Sequence, residues 1–415
     1  LEGAASWSGA GPCAVVDGTE RAPAAAVLIN GYFTHALELD DTHDDAVLHA
    51  GASAVPAALA ACDIVRQRGG TVGGRRFLEA TMLGIEVSCR LGVATDLNLV
   101  DGGWIYSALL GHFGAAAAAA RILSDDPDVL RSALGAAYTL TSGNHQSTRE
   151  GSETKALQPA IAGSNGLLAA LMAKNGLAGV ANPFLGEDGL GRVYLHGKLD
   201  AAKFGASLGP TPEIARLSFK PYPSCRLTHP AITAALELHE SLGPALDGET
   251  KIDLRLNPQA HNVVGKTHAA RMKPEKRLDA QFSVYWCVAV ALANGYVSPR
   301  HLVSEVPPSP GVLSWIDRIG CGVIEESSSR DIGGCVLTAT GPFGIRTVTV
   351  DNAKGHPDNP LSNAELQAKF AHNVAIAGLS EDDARDLVNR IWAIDSIPDA
   401  AQLLRVRVMG RNAAT

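Results

Sequence analysis

A mainly α fold, in which a large helical domain is interrupted by a smaller α+β domain, follows from three features of the 415-residue chain. Residues 22–176 form a succession of Ala- and Leu-rich segments with helical patterning and short connections. After Gly209-Pro210-Thr211-Pro212 the pattern turns to strand-like alternation mixed with helices. From Asn363 onward it returns to helix, so the α+β unit reads as an insertion. The predicted division is 1–209, 210–358 and 359–415.

The first domain's helices are expected at 24–39, 52–68, 77–95, 107–123, 128–141 and 159–175. Their alanine density, extreme at Gly114–Ala120, lets helices approach closely, as in a bundle buried on most sides. Gly69–Gly74 separates the second helix from the third, and Asp125-Asp126-Pro127-Asp128 supplies an N-cap and a stop. In the second domain, 252–256, 336–339 and 346–350 alternate as strands, while 230–242 and 280–293 read as helices. The closing helices are expected at 364–376, 381–391 and 397–405.

Composition narrows the function. Hydrophobic content of 46% with 19% charge is that of a globular protein. A net charge of -8 argues against nucleic acid, which demands a basic footprint, yet permits a small anionic substrate held by a few focused cations. No uncharged apolar run approaches the length of about 18 residues that suggests a membrane span. A cytoplasmic protein is expected, and a chain opening on Leu1 reads as the interior of a longer one. The seven cysteines show no CxxC spacing and read as buried thiols in a reducing compartment.

The most unusual stretch is Glu38-Leu39-Asp40-Asp41-Thr42-His43-Asp44-Asp45, followed by His49, with no lysine or arginine between Arg21 and Arg66. Crowded carboxylates raise one another's pKa, which is how a general base is tuned. Part of the cluster also suits helix capping through Thr42 or Asp44. The stretch lacks the glycine and terminal glutamate of a calcium loop, so no metal is expected. Gly102-Gly103-Trp104-Ile105-Tyr106-Ser107 opens the alanine-rich helix, whose N-terminus suits a substrate carboxylate. Lys155 stands where another helix begins, with Asn144 and His145 as weaker candidates in the preceding loop. At the expected domain junction, Lys220-Pro221-Tyr222-Pro223-Ser224-Cys225-Arg226-Leu227-Thr228-His229 concentrates two cations, a thiol and an imidazole on a proline-stiffened run. Such junctions are favoured ligand sites. No oxyanion motif accompanies Cys225, and His229 before Pro230 also reads as an N-cap.

Together, the acidic DDT after a helix, the G-W-x-x-S loop with G-x-F-G-A-A, the lysine before an apolar helix, F-K-P-Y-P-S-C-R-L-T-H and A-Q-F-S resemble the MmgE/PrpD family. That family includes 2-methylcitrate dehydratase, cis-aconitate decarboxylase and iminodisuccinate epimerase. The resemblance covers essentially the whole chain. It implies a helical domain with an α+β lid, a homodimer, no cofactor, and chemistry at the carbon beside a carboxylate. By the same resemblance Asp40, Asp41, Thr42 and His49 belong to the site, as do Lys155, Lys220, Cys225, Arg226 and His229. Where relatives commonly show W-H-P-T, this chain has Trp104-Ile105-Tyr106-Ser107 and so lacks a histidine there. Where they show A-Q-F-S-x-x-Y, it has Trp286, with Tyr285 one position earlier.

These departures shift the expectation toward an isomerase that epimerises a small dicarboxylate or amino-dicarboxylate, of the iminodisuccinate kind, by α-proton abstraction and return. Tyr106 and Lys155 are expected as the acid/base pair, Asp40 and His49 as tuning groups. Asp41, Thr42, Lys220, Cys225, Arg226 and His229 are expected to bind substrate. The alternatives are a lyase eliminating water from a hydroxy-tricarboxylate, and a non-catalytic carboxylate-binding protein of the same fold.

Overall fold

Small residues set how closely the helices of this chain approach one another. The computed structural model describes residues 3, 9–97, 102–205, 211–246, 248–267, 269–302, 309–325 and 333–405. Two units emerge, one of residues 1–36, 46–216 and 362–415, the other of residues 37–45 and 217–361. The fold is mainly α with a small sheet domain.

In the first unit the helices are α1 (Pro23–Ala36), α2 (Gly51–Gln67), α3 (Gly74–Ala94), α4 (Gly111–Leu123), α5 (Pro127–Thr139) and α6 (Thr154–Lys174). Central α4, buried throughout Ala115–Ala120, packs on α2, α3, α5 and α6, and α6 also covers α1. At the α3/α4 crossing the backbones touch. A Cβ added at Gly114 would meet Ser88 Oγ at 2.1 Å and the Gly84 carbonyl oxygen at 2.6 Å. Helix α6 is long and apolar enough by composition to cross a membrane. Its packing accounts for that character, since its apolar faces lie against α1, α2, α4 and α5.

Several boundaries differ from the sequence reading for local reasons. Helix α1 stops at Ala36 rather than Leu39, because Glu38 takes a left-handed φ of 53° that no helix accommodates. Helix α6 starts five residues before Pro159, which the helix contains in its interior. Of the Asp125–Asp128 stretch, Asp126 is the residue that caps α5, accepting from the Asp128 amide.

The second unit begins with a two-stranded pairing. Strand β1 (Asp41–His43) runs antiparallel to β2 (Leu217–Phe219), with Thr42 opposite Ser218. Helix α7 (His229–Leu242) packs on α8 (Val284–Asn294), which is apolar all round and ends at Gly295 in a left-handed C-cap. A four-stranded sheet of β3 (Lys251–Leu256), β4 (Ile319–Val323), β5 (Cys335–Gly341) and β6 (Gly344–Val350) has the order β4-β3-β5-β6. Only β3 and β4 are parallel. Along β3, Ile252, Leu254 and Leu256 enter the core while Lys251, Asp253 and Arg255 stay outside, the period-2 signature read from the sequence. Strand β4, carrying Gly320 and Gly322, offered no such alternation.

The chain rejoins the first unit with α9 (Asn363–Ile376), started by a Ser362/Glu365 capping box, and α10 (Glu381–Trp392), capped by Ser380. The helix expected at 397–405 is a short 3₁₀ turn, Ala400–Gln402. There the backbone bonds elsewhere, Gly74 N–H to the Ile397 carbonyl at 2.9 Å and Ala400 N–H to the Val72 carbonyl at 2.8 Å.

Because backbone atoms limit relief at the α3/α4 crossing, Gly114→Ala is expected to cost about 1–3 kcal/mol in denaturant unfolding. Gly205→Ala, placed where nothing among the described residues lies within 4 Å of the new Cβ, is the control and should change stability by less than about 0.5 kcal/mol.

Candidate active site

In the first unit, three proton carriers meet. His35 occupies the last turn of α1, where an imidazole suits the negative end of the helix dipole. Lys155 is the second residue of α6, where a cation opposes the dipole, so a hydrogen-bonding partner is valuable there. Lys155 Nζ lies 2.7 Å from His35 Nε2, with both residues buried. One nitrogen donates and the other accepts, so the contact holds a proton between two groups that can each carry one.

His49 completes the group, its ring centroid 4.8 Å from that of His35 at an interplanar angle of 51°. The turn leading to it is strained, for Val47 is a β-branched residue at φ 52°. The His49 amide is fixed by Ser107 Oγ at 2.9 Å. Coordination of a metal through His35 Nε2 would displace Lys155 from that nitrogen.

Tyr106, expected as a catalytic acid, sits in the short helix Tyr106–Leu109, and its hydroxyl donates to the Leu97 carbonyl at 2.5 Å. Burial of the ring leaves it 3% exposed. Its geometry is that of an anchor for the loop.

In the second unit, the acidic segment is held by the two cations that the sequence reading assigned to substrate. Lys220 is fully buried, its Nζ 2.7 Å from Glu38 Oε2 and 3.6 Å from Asp40 Oδ1. Burial by itself drives a lysine pKa down, but the charges of Glu38 and Asp40 and the hydrogen bond to Glu38 outweigh it and hold Lys220 above its ordinary value. Arg226 forms a fork on Asp44, with Nη2 at 2.8 Å from Oδ2 and Nε at 3.1 Å from both oxygens. Ser218 Oγ also donates to Asp44, at 2.9 Å. Thus Asp44 is an ion-pair partner rather than a helix cap. Thr42 and Asp41 lie in β1, Thr42 buried.

Cys225 is buried with its amide bonded to the Gln281 carbonyl at 2.9 Å. His229 is not an N-cap. It is the first residue of α7, and its Nε2 lies 3.3 Å from the Ser224 carbonyl. Tyr285 and Trp286 spend their polar atoms on backbone carbonyls, of Gly265 at 2.8 Å and His301 at 3.1 Å. Burial, then the charge of Cys321, pushes the Tyr285 hydroxyl up to about 12, so it stays protonated.

The sequence reading missed His35 and gave Glu38 no individual role. A lone imidazole in an alanine-rich helix was the available signal for the first. For Glu38 none existed, since its left-handed backbone is set by the fold.

Removing one partner of a buried charge cluster leaves the others uncompensated. Lys220→Met is expected to cost about 3–5 kcal/mol, with partial recovery when Glu38→Gln is added. A raised folded-state pKa means that the Lys220 contribution is complete below the ordinary lysine value of 10.5 and is lost as pH rises through the raised one. Urea unfolding across alkaline pH should show this loss in the native chain and not in K220M.

Comparison with known proteins bears on this chemistry. The chain matches the MmgE/PrpD N-terminal domain over residues 1–202 and the MmgE/PrpD C-terminal domain over residues 222–394. A cis-aconitate decarboxylase-like protein of Aspergillus oryzae is 37% identical over 417 residues, spanning 95% of this chain and 84% of its own length. The cis-aconitate decarboxylase of Aspergillus terreus is 28% identical over 424 residues, with 97% and 84% covered. That of Homo sapiens is 25% identical over 390 residues, with 92% and 78% covered. With both family domains matched in tandem over most of its length, the chain belongs to the MmgE/PrpD family.

Proposed function

We propose that this protein is a lyase that releases carbon dioxide from a small unsaturated polycarboxylate of the cis-aconitate kind. The observation that carries the reading is the buried Lys155–His35 contact of 2.7 Å with His49 against it, in a chain whose relatives are named as cis-aconitate decarboxylases.

The chemistry asks for what these residues offer. When the bond between the substrate carbon and the departing carboxylate breaks, its electron pair moves into the conjugated system toward a remaining carboxylate. A proton must then be delivered to carbon, one for each carbon dioxide released. Lys155 and His35 hold a transferable proton, and His49 is placed to relay or replace it. A cationic amine also favours the developing enediolate over the ground state.

The isomerase expectation is less well supported. It relied on Tyr106 to return a proton, and that hydroxyl is donated to a backbone carbonyl instead. Elimination of water by the same proton carriers is the second reading, favoured by the same histidine pair, and it differs in the bond broken.

Incubation in deuterated water with cis-aconitate, and in parallel with a chiral amino-dicarboxylate, separates the three. The proposal expects carbon dioxide and a product bearing one carbon-bound deuteron. Label washing into recovered substrate without gas would instead mark an isomerase, and hydration or dehydration without gas a hydro-lyase. Lys155→Met and His49→Gln are each expected to lower kcat by about 10²–10⁴. Tyr106→Phe should leave kcat within about twofold while costing about 1 kcal/mol of stability through the lost hydrogen bond.

A further inference from the structure

His145 is a buried side chain of the first unit that the chemistry above leaves unused. The loop around it is fully tied down. Its amide donates to the Gly103 carbonyl at 2.8 Å, and its own carbonyl accepts from Thr148 and Arg149 at 3.1 and 3.3 Å. Its neighbour Asn144 exchanges hydrogen bonds with Gln158, at 2.7 Å to Oε1 and 3.0 Å from Nε2. The imidazole is treated differently. It is 7% exposed, and Nδ1 is sealed from solvent with no hydrogen-bond partner. Buried polar atoms are nearly always paired, so a rigid loop that presents one unpaired is an exception that asks for a ligand.

The surroundings say which ligand. Burial first, then the charges of Arg149 and Lys155, pull the His145 pKa down to about 4, so the ring is neutral at physiological pH. A neutral imidazole among cations is a hydrogen-bond donor that adds no further positive charge, a role such rings play in polarising substrate oxygens. With Nδ1 carrying the proton, the partner that suits a position beside two cations is an anionic oxygen. The Gly103 contact fastens the His145 backbone to the Gly102–Ser107 loop, which has no histidine of its own in this chain.

We propose that His145 is a substrate-binding residue, whose Nδ1–H donates to a carboxylate oxygen of the polycarboxylate that Lys155 also serves. This deepens the decarboxylase reading and rests on it for the identity of the probe, cis-aconitate.

Calorimetric titration with cis-aconitate, beside steady-state assay of carbon dioxide release, tests the contact. For His145→Leu the expected result is a Kd and KM raised about 10- to 150-fold, the range of one hydrogen bond to a charged group. His145→Gln, which keeps an N–H donor, should recover most of this. A His145→Leu protein with the native melting temperature and Kd within twofold overturns the proposal, and so does a native protein that does not bind cis-aconitate at millimolar concentration. If the native protein binds but releases no gas, the decarboxylase reading fails while the Kd ratio still decides the role of His145. Should both variants lose the fold, ¹⁵N spectra of the native histidine rings decide it. A ring of neutral tautomer that shifts on saturation supports the contact, and one that stays unmoved excludes it.

Discussion

A lysine ammonium at zero exposure cannot exist without negative charge beside it, and Lys220 obtains that charge from Glu38 and Asp40. Much of the second unit follows from this requirement. Within residues 37–45, Asp41–His43 pairs with Leu217–Phe219, and Glu38, Asp40 and Lys220 flank one end of that short ladder. Arg226, in the 3₁₀ turn Arg226–Thr228, makes a second such pair, with Asp44, and also donates to Ser218. Glu38 accepts a left-handed backbone to present its carboxylate, a local cost that the ion pair offsets. The crowding of acids, anomalous as surface chemistry, is ordinary as the counter-charge of two buried cations.

That assignment changes where the reaction chemistry is sought. Cations already bound to carboxylates make poor anion receptors, because binding a substrate there would strand a buried acid. Lys155 has an imidazole at 2.7 Å, a neighbour that can itself carry and release a proton. The same contrast separates the two tyrosines from the histidines. Tyr106 and Tyr285 donate to main-chain carbonyls, whereas His35 lies against an amine and His49 is tilted against His35.

Much of this was legible in the residues. The alanine-rich helices, the Asp126 cap and the alternation of β3 are local properties, and local sequence carries them. Lys155, His49 and Lys220 were singled out by type and position, and each is buried or half-buried in a polar cluster. What the sequence did not carry was partnership. Whether Lys220 meets a substrate or Glu38 depends on a contact spanning 182 residues, and His35 gains meaning only from a lysine 120 residues away. The ends of α1 and the 3₁₀ turn at Ala400–Gln402 were misread for a related reason, since tertiary hydrogen bonds and a forced backbone angle overrode helical pattern.

The central claim is that Lys155 and His35 act as one proton-carrying unit in a lyase. A double-mutant cycle on carbon dioxide release from cis-aconitate, with Lys155→Met, His35→Gln and both together, addresses it directly. If the two share the proton, either single change should lower kcat nearly as far as the pair does, as for groups that work as a unit. Losses that multiply, with each variant retaining the native melting temperature, would contradict the account.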